Sequence, residues 1–396
     1  MAPLDDLLVF DLTRVLAGPF CTMLLGDLGA RVVKLEHPDG GDDTRAFGPP
    51  FQNGEACYFL SVNRNKESVA IDLKARGGRE LARRLALRAD VLVENFRPDV
   101  LGRLGLGHDE LRRENPRLIY CSISGFGHTG EPSWVARGGY DLVVQGLSGV
   151  QALTGTPEGP PTKVGLPIAD LVAGLHGALG VLAALHARSR TGRGQHVDIS
   201  MFEAQVSLLS YYAGIHLGTG AVPGRFGNAH PTIHPYQTYA ARDGHLNIAC
   251  GNDGMFRAFA GALGMPQLAD DPRFSTNPQR VQHRAALDAL LVPRLAEEPV
   301  DTWLERLDAA GVACGPILGV GEVLAHPQLA ARGMRVEVPH PTLGTHRTLG
   351  VPVRLSETPG AVRTAPPLLG QHTRSALGEL LGLDVTTLEH LLARDP

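Results

Sequence analysis

Asp170 has the most distinctive placement for chemistry of any side chain in this sequence. It precedes an apolar stretch, 171–182, in which leucines recur with helical spacing, so we predict that it stands at the start of a long helix. Most aspartates at such a position cap the helix by accepting hydrogen bonds from its free N–H groups. The position also suits a nucleophile, because a carboxylate with a reference pKa of about 3.9 needs no general base. Free amides at a helix start can also stabilise an oxyanion. The local sequence alone favours the role of Asp170 as a helix cap, and its role as a nucleophile stays an open alternative.

Two other candidate catalytic groups lack part of the pattern that their chemistry requires. Residues 146–150 read Gly-Leu-Ser-Gly-Val and omit the closing glycine of a nucleophile elbow, so Ser148 is interpreted as a loop serine. His230 and His234 have the spacing of helical zinc ligands, but a proline follows each, which excludes a helix interior. The five cysteines lie far apart without a CxxC motif, which argues against a zinc site and a disulfide framework.

The N-terminal region resembles the start of a dinucleotide-binding unit only in outline. A strand, a turn, a helix and a second strand lead to Glu36 at a suitable distance. The turn, residues 16–20, reads Leu-Ala-Gly-Pro-Phe and lacks the glycines that let a backbone close on a pyrophosphate. The sequence therefore argues against a nicotinamide cofactor.

Alternating strand and helix patterns predict the elements that position these groups. This order indicates parallel βαβ units and an α/β fold with a doubly wound sheet. Gly174, Gly177 and Gly180 share one face of the helix after Asp170, where we expect another backbone to approach closely. The predicted strands are 7–12, 31–35, 69–73, 91–93, 118–123 and 196–199, and the predicted helices include 19–28 and 79–89.

The length of 396 residues predicts two domains. The pattern breaks into glycine and proline near 218–228, where we place a boundary. We predict a large domain of residues 1–220 plus 330–396, with the C-terminal helix packed on its first part, and a small α/β domain of residues 221–329.

Composition narrows the class of protein. The net charge is -4 without a basic stripe, which argues against nucleic acid as a partner. The uncharged helix after Asp170 is shorter than the ~20 residues of a membrane span, so we interpret it as a buried core helix and expect no membrane association. Unpaired cysteines and the absence of a signal-peptide pattern favour a cytoplasmic location.

Eight stretches together resemble the class III CoA transferases, a family that includes formyl-CoA transferase, carnitine CoA-transferase and alpha-methylacyl-CoA racemase. No single stretch is specific to this family, but the order and spacing of all eight together are specific to it. The stretches are 9–19, 29–36, 63–66, 93–98, 139–141, 191–195, 314–316 and 369–373.

The resemblance implies a fold, a mechanism and a set of site residues. The fold is a homodimer of interlocked rings, each with a large Rossmann-like domain and a smaller α/β domain. Asp170 is the nucleophile, acyl-CoA and a small carboxylic acid are the substrates, and no tightly bound cofactor is required. The residues expected to contact coenzyme A or line the site are Val15, Leu16, Ala17, His37, Ile71, Asp72, Leu73, Lys74, Asn95, Phe96, Arg103, Arg137 and Tyr140.

Two departures from family patterns refine this expectation. Tyr140-Asp141 stands where the racemases have His-Asp, and a tyrosine with a pKa of about 10 is a poor base for an α-proton. Residues 227–236 replace the glycine run of formyl-CoA transferase, resemble members that act on longer dicarboxylic acids such as succinate, and are predicted to cover the site. The alternatives are an acyl-CoA racemase or isomerase and a non-catalytic CoA-binding regulator.

Overall fold

The chain divides into two units whose segments alternate along the sequence. A computed structural model describes residues 1–393. The larger unit contains Met1–Gln151, Lys163–Thr219 and the residues from Pro327 onward. The smaller unit contains Ala152–Thr162 and Gly220–His326, so it takes in a segment well upstream of residue 220.

The first part of the larger unit alternates strands with helices. Its strands are β1 (Leu8–Asp11), β2 (Arg31–Glu36), β3 (Phe51–Gln52), β4 (Glu55–Ala56), β5 (Lys66–Ala70), β6 (Val91–Glu94), β7 (Ile119–Ser124) and β8 (His196–Ser200). Its helices are α1 (Ala17–Asp27), α2 (Cys57–Val62), α3 (Arg76–Arg88), α4 (Val100–Arg103), α5 (His108–Glu114), α6 (Pro132–Val135), α7 (Asp141–Leu147), α8 (Val150–Leu153), α9 (Ile168–Thr191), α10 (Met201–Val206) and α11 (Ser210–Thr219), with 3₁₀ turns at Asp43–Ala46 and Ser207–Leu209.

The smaller unit has an antiparallel sheet in the order β11-β10-β9, and its core surrounds Trp303. Its elements are β9 (Tyr236–Ala240), β10 (His245–Ala249), α12 (Asp253–Ala262), a 3₁₀ turn (Pro266–Ala269), α13 (Asn277–Gln282), α14 (Arg284–Leu295), α15 (Val300–Ala309), β11 (Ala313–Pro316) and α16 (Val320–Ala325). The chain then completes the larger unit with α17 (Pro327–Ala331), the hairpin β12 (Arg335–His340) and β13 (Gly344–Leu349), α18 (Thr373–Leu381) and α19 (Val385–Leu392).

The main sheet is parallel and has helices on both faces. Its strand order is β5-β2-β1-β6-β7-β8, with every neighbouring pair parallel. Val9 faces a core shared with α1 and α9, whereas Phe10 faces a core shared with α3, α18 and α19. The predicted α/β class with a parallel sheet is confirmed. Both faces of the sheet are covered, and the central strands β1 and β6 are apolar except for their last residue, whereas the edge strands β5 and β8 contain several polar residues.

The strand predicted at 69–73 is misplaced. β5 spans Lys66–Ala70, and Ile71 and Leu73 follow it in a loop. The polar start of this strand conceals it, because Lys66 is buried by pairing with Asp11 rather than by apolar packing.

Helix α9 packs against α1 through its glycine face. A Cβ placed on Gly174 would lie 2.6 Å from the carbonyl oxygen of Ala17, so the predicted close approach is confirmed. One side of this helix lies in the core, through residues such as Ala173 and Val181, as expected for a core helix. Its other side is not covered by the chain itself, since Leu175 is 50% exposed and Leu179 is 63% exposed. Within the described residues, α9 alone is long and apolar enough to cross a membrane, a criterion that core helices of soluble proteins also satisfy.

Candidate active site

The carboxyl ends of β1 and β6 form the centre of the candidate site. The chain winds in opposite directions from these two strands, and ligands of doubly wound sheets bind at that switch point. Asn95 joins the two turns: its Oδ1 accepts the Arg14 N–H at 2.8 Å and its Nδ2 donates to the Arg14 carbonyl oxygen at 2.7 Å. The Arg14 guanidinium lies 5.3 Å from the centre of the Phe96 ring.

A buried ion pair holds the turn that follows β1. Lys34 Nζ lies 2.9 Å from Asp42 Oδ2 and donates to the Thr13 carbonyl oxygen at 2.6 Å. Asp42 also accepts the N–H of Val15 at 3.2 Å. Val15 has a φ of 67°, which is unfavourable for a β-branched residue, so the turn depends on such contacts. Burial works to raise the pKa of Asp42, but Lys34 and hydrogen bonds from Thr44 lower it to about 2.

A cavity of about 270 Å³ opens beside this turn, within the larger unit. Six of the residues predicted to contact coenzyme A line it, together with Arg14 and Lys34. Polar and apolar groups at the ends of four strands thus converge on one space, a combination typical of small-molecule sites. The six predicted residues are His37, Ile71, Asp72, Leu73, Lys74 and Phe96.

The other predicted contact residues lie outside the lining of this cavity. Arg103 is exposed at the end of α4, next to the lining residue Leu104. The Arg137 guanidinium lies 4.3 Å from the centre of the Trp134 ring. Tyr140 precedes α7 and is 69% exposed.

Val15 and Leu16 lie on the side of the turn that faces the candidate nucleophile. They belong to a small apolar cluster with Tyr58 of α2 and Leu171 of α9. Ala17 is buried where α1 meets Gly174. The turn after β1 therefore has the cavity on one side and the first turn of α9 on the other.

Asp170 is the third residue of α9 and does not cap it. The helix begins at Ile168, its N-cap is Pro167, and no side-chain hydrogen bond is made from that cap. The N–H of Ala169 is instead accepted by Asp141 Oδ1 of α7, at 2.9 Å. The interpretation of Asp170 as an N-cap is therefore wrong, and its carboxyl is not used for capping.

The environment of Asp170 disfavours its charge. Burial, and then the neighbouring carboxylate of Asp141, raise the pKa of Asp170 to about 7. This differs from the expectation of an ordinary carboxylate that is fully ionised at neutral pH. A carboxylate without strong solvation is also a better nucleophile once it is ionised.

Three residues near Asp170 escaped prediction as site residues. Burial, followed by the carboxylates of Asp170, Asp42 and Asp141, raises the pKa of Tyr58 to about 12, so its phenol remains a hydrogen-bond donor. Gln145 is fully buried and donates to Asp141 Oδ2 at 2.8 Å. Only the spacing of Asp141 and Gln145, four residues apart in a helix, signals this pair in the sequence.

The two rejected catalytic candidates have structural roles. Ser148 is buried at the end of α7, and its hydroxyl donates to the Gln145 carbonyl oxygen at 3.3 Å. In the smaller unit, His234 Nδ1 lies 3.1 Å from Arg284 Nη1, and the same guanidinium donates to the His230 carbonyl oxygen. Across residues 1–393, no group of three or more His, Cys, Asp or Glu side chains is placed to hold a metal ion.

The raised pKa of Asp170 predicts a pH profile. Protonated Asp170 cannot attack, so kcat/KM for acyl-CoA should rise about tenfold per pH unit below pH 7 and level off above it. Asp141→Asn removes a like charge and should move this limb to lower pH, although burial still keeps the pKa above 3.8. Initial rates from pH 5 to 9 measure the acid limb of the wild type and that of Asp141→Asn. A wild-type limb near pH 4 would contradict the prediction.

Comparisons with known proteins agree with this fold. The family model described as CoA-transferase family III matches residues 4–373, and the chain belongs to this family and is a CoA-transferase. It is 42% identical over 392 residues to succinyl-CoA:glutarate CoA-transferase from Mus musculus, covering 99% of this chain and 89% of that protein. It is 44% identical over 366 residues to acetyl-CoA:oxalate CoA-transferase from Acetobacter aceti, covering 91% and 92%. A crystal structure of a CAIB/BAIF family protein from Brucella suis superposes with a TM-score of 0.85 at 44% identity, covering 96% and 99%.

Proposed function

We propose that this enzyme transfers coenzyme A from succinyl-CoA or a similar acyl-CoA to a dicarboxylic acid, with Asp170 as the covalent carrier. The position of Asp170 carries the proposal. Its carboxyl lies in the first turn of α9, is released from capping by Asp141, and stands beside the turn that borders the cavity. A carboxylate in this position can act as the covalent nucleophile on a thioester bound in the neighbouring space.

The reaction proceeds through two kinds of covalent intermediate on Asp170, an anhydride and a thioester. Its carboxylate attacks the thioester carbonyl, the C–S bond breaks, and CoA thiolate leaves an acyl-aspartyl anhydride. The thiolate then attacks the aspartyl carbonyl, which releases the donor carboxylate and forms aspartyl-CoA thioester. The acceptor carboxylate attacks this thioester to form a second anhydride, and the thiolate takes the acceptor acyl group and frees Asp170. No net proton is consumed, and water must be excluded because both intermediates hydrolyse.

The protein has groups suited to these steps. His37 and Lys74 stand at the cavity where the phosphates or adenine of coenzyme A would bind. The Tyr58 phenol remains protonated next to three carboxylates and can donate to the oxyanion that forms on the attacked carbonyl.

Mass spectrometry of the enzyme after incubation with succinyl-CoA tests the mechanism. We expect a CoA adduct on the peptide that contains Asp170, and hydroxylamine should convert it to a hydroxamate. Solvent deuterium at the α-carbon without an adduct would establish a racemase instead. Tight CoA binding with neither signal would establish a regulator.

The acceptor class is proposed from the relatives together with the sequence. Two relatives are named for the acids glutarate and oxalate. The segment 227–236 lacks the glycine run of formyl-CoA transferase, so we propose an acceptor longer than formate or oxalate. Initial rates with succinyl-CoA and a series of acceptors (formate, oxalate, succinate and glutarate) test this choice. A kcat/KM that is highest for oxalate would overturn the chain-length assignment and leave the transferase mechanism intact.

We further propose that two copies of the chain form the functional unit. Leu175 and Leu179 of α9, and Leu142 of the adjacent α7, are at least half exposed. Monomers seldom expose a contiguous apolar surface of this kind, and a second copy of the chain would bury it. The interlocked arrangement implied by the family resemblance is the form that we expect.

Light scattering coupled to size-exclusion chromatography tests the dimer. The wild type should have a mass of about twice 42.2 kDa. Leu179→Asp places a charge on this surface and should shift the protein to monomer with loss of turnover. Val385→Asp, at an exposed position on α19, is the matched control and should remain dimeric. A wild type that stays monomeric at micromolar concentration would exclude the proposal.

A further inference from the structure

Gln145 links α7 to the segment 164–166 that leads into α9. We propose that Gln145 is a positioning residue for the Asp170 nucleophile, acting through Asp141 and through the segment 164–166 that leads into α9. The proposal rests on the function proposed above, because it assumes that Asp170 is the group to be positioned. Gln145 is not expected to touch substrate itself.

Both the nitrogen and the oxygen of the Gln145 side-chain amide form hydrogen bonds. Its Nε2 donates to Asp141 Oδ2 at 2.8 Å and to the Leu166 carbonyl oxygen at 3.3 Å. Its Oε1 accepts the N–H of Val164 at 2.8 Å. The side chain is fully buried, so water cannot replace these partners. One amide therefore fixes the chain four to six residues before Asp170 and one oxygen of Asp141.

The orientation of Asp141 is transmitted directly to α9. One oxygen of Asp141 accepts from Gln145, which leaves the other, Oδ1, to accept the Ala169 N–H at 2.9 Å. Ala169 immediately precedes Asp170. A rotation of Asp141 would free this N–H and allow the first turn of α9 to shift. Displacements of about 1 Å at a reacting group can lower a rate by about 10²-fold.

The chemistry requires an amide at this position. A donor toward Asp141 and an acceptor toward Val164 are needed from one side chain, and glutamine supplies both. The charged or titratable groups on the surrounding elements are few: Asp141 on α7, Asp170 on α9, Tyr58 on α2, the exposed Glu203 on α10, and Lys163, whose Nζ donates to the Val164 carbonyl oxygen at 3.2 Å.

Gln145→Leu removes both the donor and the acceptor of the amide and replaces them with an apolar side chain of similar size. We expect kcat to fall about 10²-fold with a KM for acyl-CoA within about threefold of wild type, because the cavity lies on the other side of the turn after β1. The rate of CoA-adduct formation on Asp170 should fall in parallel. A kcat within about threefold of wild type would overturn the proposal.

Gln145→Glu gives a second test with a signature that packing alone would not produce. At low pH, one proton shared between the introduced carboxyl group and Asp141 reproduces the donor, and the remaining oxygen of the introduced group accepts from Val164. When that proton leaves, two carboxylates repel each other. The variant should therefore lose activity on the alkaline side, where the wild type keeps its plateau. A profile parallel to that of the wild type would contradict the role of Gln145.

Gln205→Leu is the matched control. Gln205 is also fully buried in the larger unit, and its amide has no hydrogen-bond partner in the part of the chain that the structure describes. This variant should keep wild-type kcat and pH profile. A wild type that forms no Asp170 adduct would reject the proposed function, whereas a normal adduct rate in Gln145→Leu would reject the positioning role alone.

Discussion

Replacement of Asp170 with asparagine is expected to lower CoA transfer by at least about 10⁴-fold, a loss typical of removing a covalent nucleophile. Asparagine keeps the size and polarity of the side chain but cannot form the anhydride or the thioester. The neighbouring carboxylate of Asp141 cannot replace it, since both of its oxygens are occupied by Gln145 and the Ala169 N–H. Turnover with succinyl-CoA and glutarate measures the loss.

The same substitution should not destabilise the protein. Because the pKa of Asp170 is raised to about 7 in the folded chain, the folded state binds this proton more tightly than the unfolded state. Stability is therefore lost as the pH rises from the ordinary pKa towards 7, and the full penalty applies above it. At pH 8, asparagine removes that penalty, so the thermal midpoint should equal or exceed that of wild type.

Asp301→Asn provides the control for this substitution. Asp301 is an exposed aspartate in the first turn of α15, in the smaller unit, and the change should leave turnover unaltered. The mass of the peptide that carries the Asp170→Asn substitution must show that the introduced asparagine has not deamidated back to aspartate. Retention of more than about 1% of wild-type turnover by verified Asp170→Asn would exclude the covalent mechanism.

The sequence predicts most strands of the main sheet in the larger unit, because buried strands form continuous apolar runs. Val91 and Ile119 lie in continuous apolar runs that only a buried strand explains, and β6 and β7 are found there. Where burial depends on ion pairs, the pattern fails: Lys66 begins β5 but looks like a surface residue. The exposure of Leu175 could not be predicted either, because an apolar helix looks the same whether its own chain or a second copy covers it.

The family resemblance implied the loop residues of the candidate site but not the hydrogen bonds around Asp170. His37, Lys74 and Phe96 were expected from that resemblance, and they line one cavity because the parallel strands before them end at the same edge of the sheet. The raised pKa of Asp170 depends on burial and on Asp141, two features that only the folded chain displays. The same holds for the contacts of Gln145 with Val164 and Leu166, which lie 19 and 21 residues further along the chain.

Lys34→Met is expected to have the largest effect on stability. Lys34 is fully buried between Asp42 and the Thr13 carbonyl oxygen, and Asp11 also faces it. Methionine fills the space but leaves Asp42 charged and buried without its cation. Breaking a buried pair in this way is destabilising by about 3–5 kcal/mol. For a chain of 396 residues, this lowers the thermal midpoint by roughly 4 to 6 °C.

The double variant Lys34→Met, Asp42→Asn separates the charge from the packing. Asparagine keeps an oxygen for the N–H groups of Val15 and Thr44 but removes the unpaired charge, so most of the lost stability should return. Arg347→Met breaks the exposed pair with Glu337 and should change stability by at most about 1 kcal/mol. If Lys34→Met were no worse than Arg347→Met, the buried pair would not hold the turn. The strained φ of Val15 would then need another cause, and activity lost in Lys34→Met could not be assigned to a displaced turn.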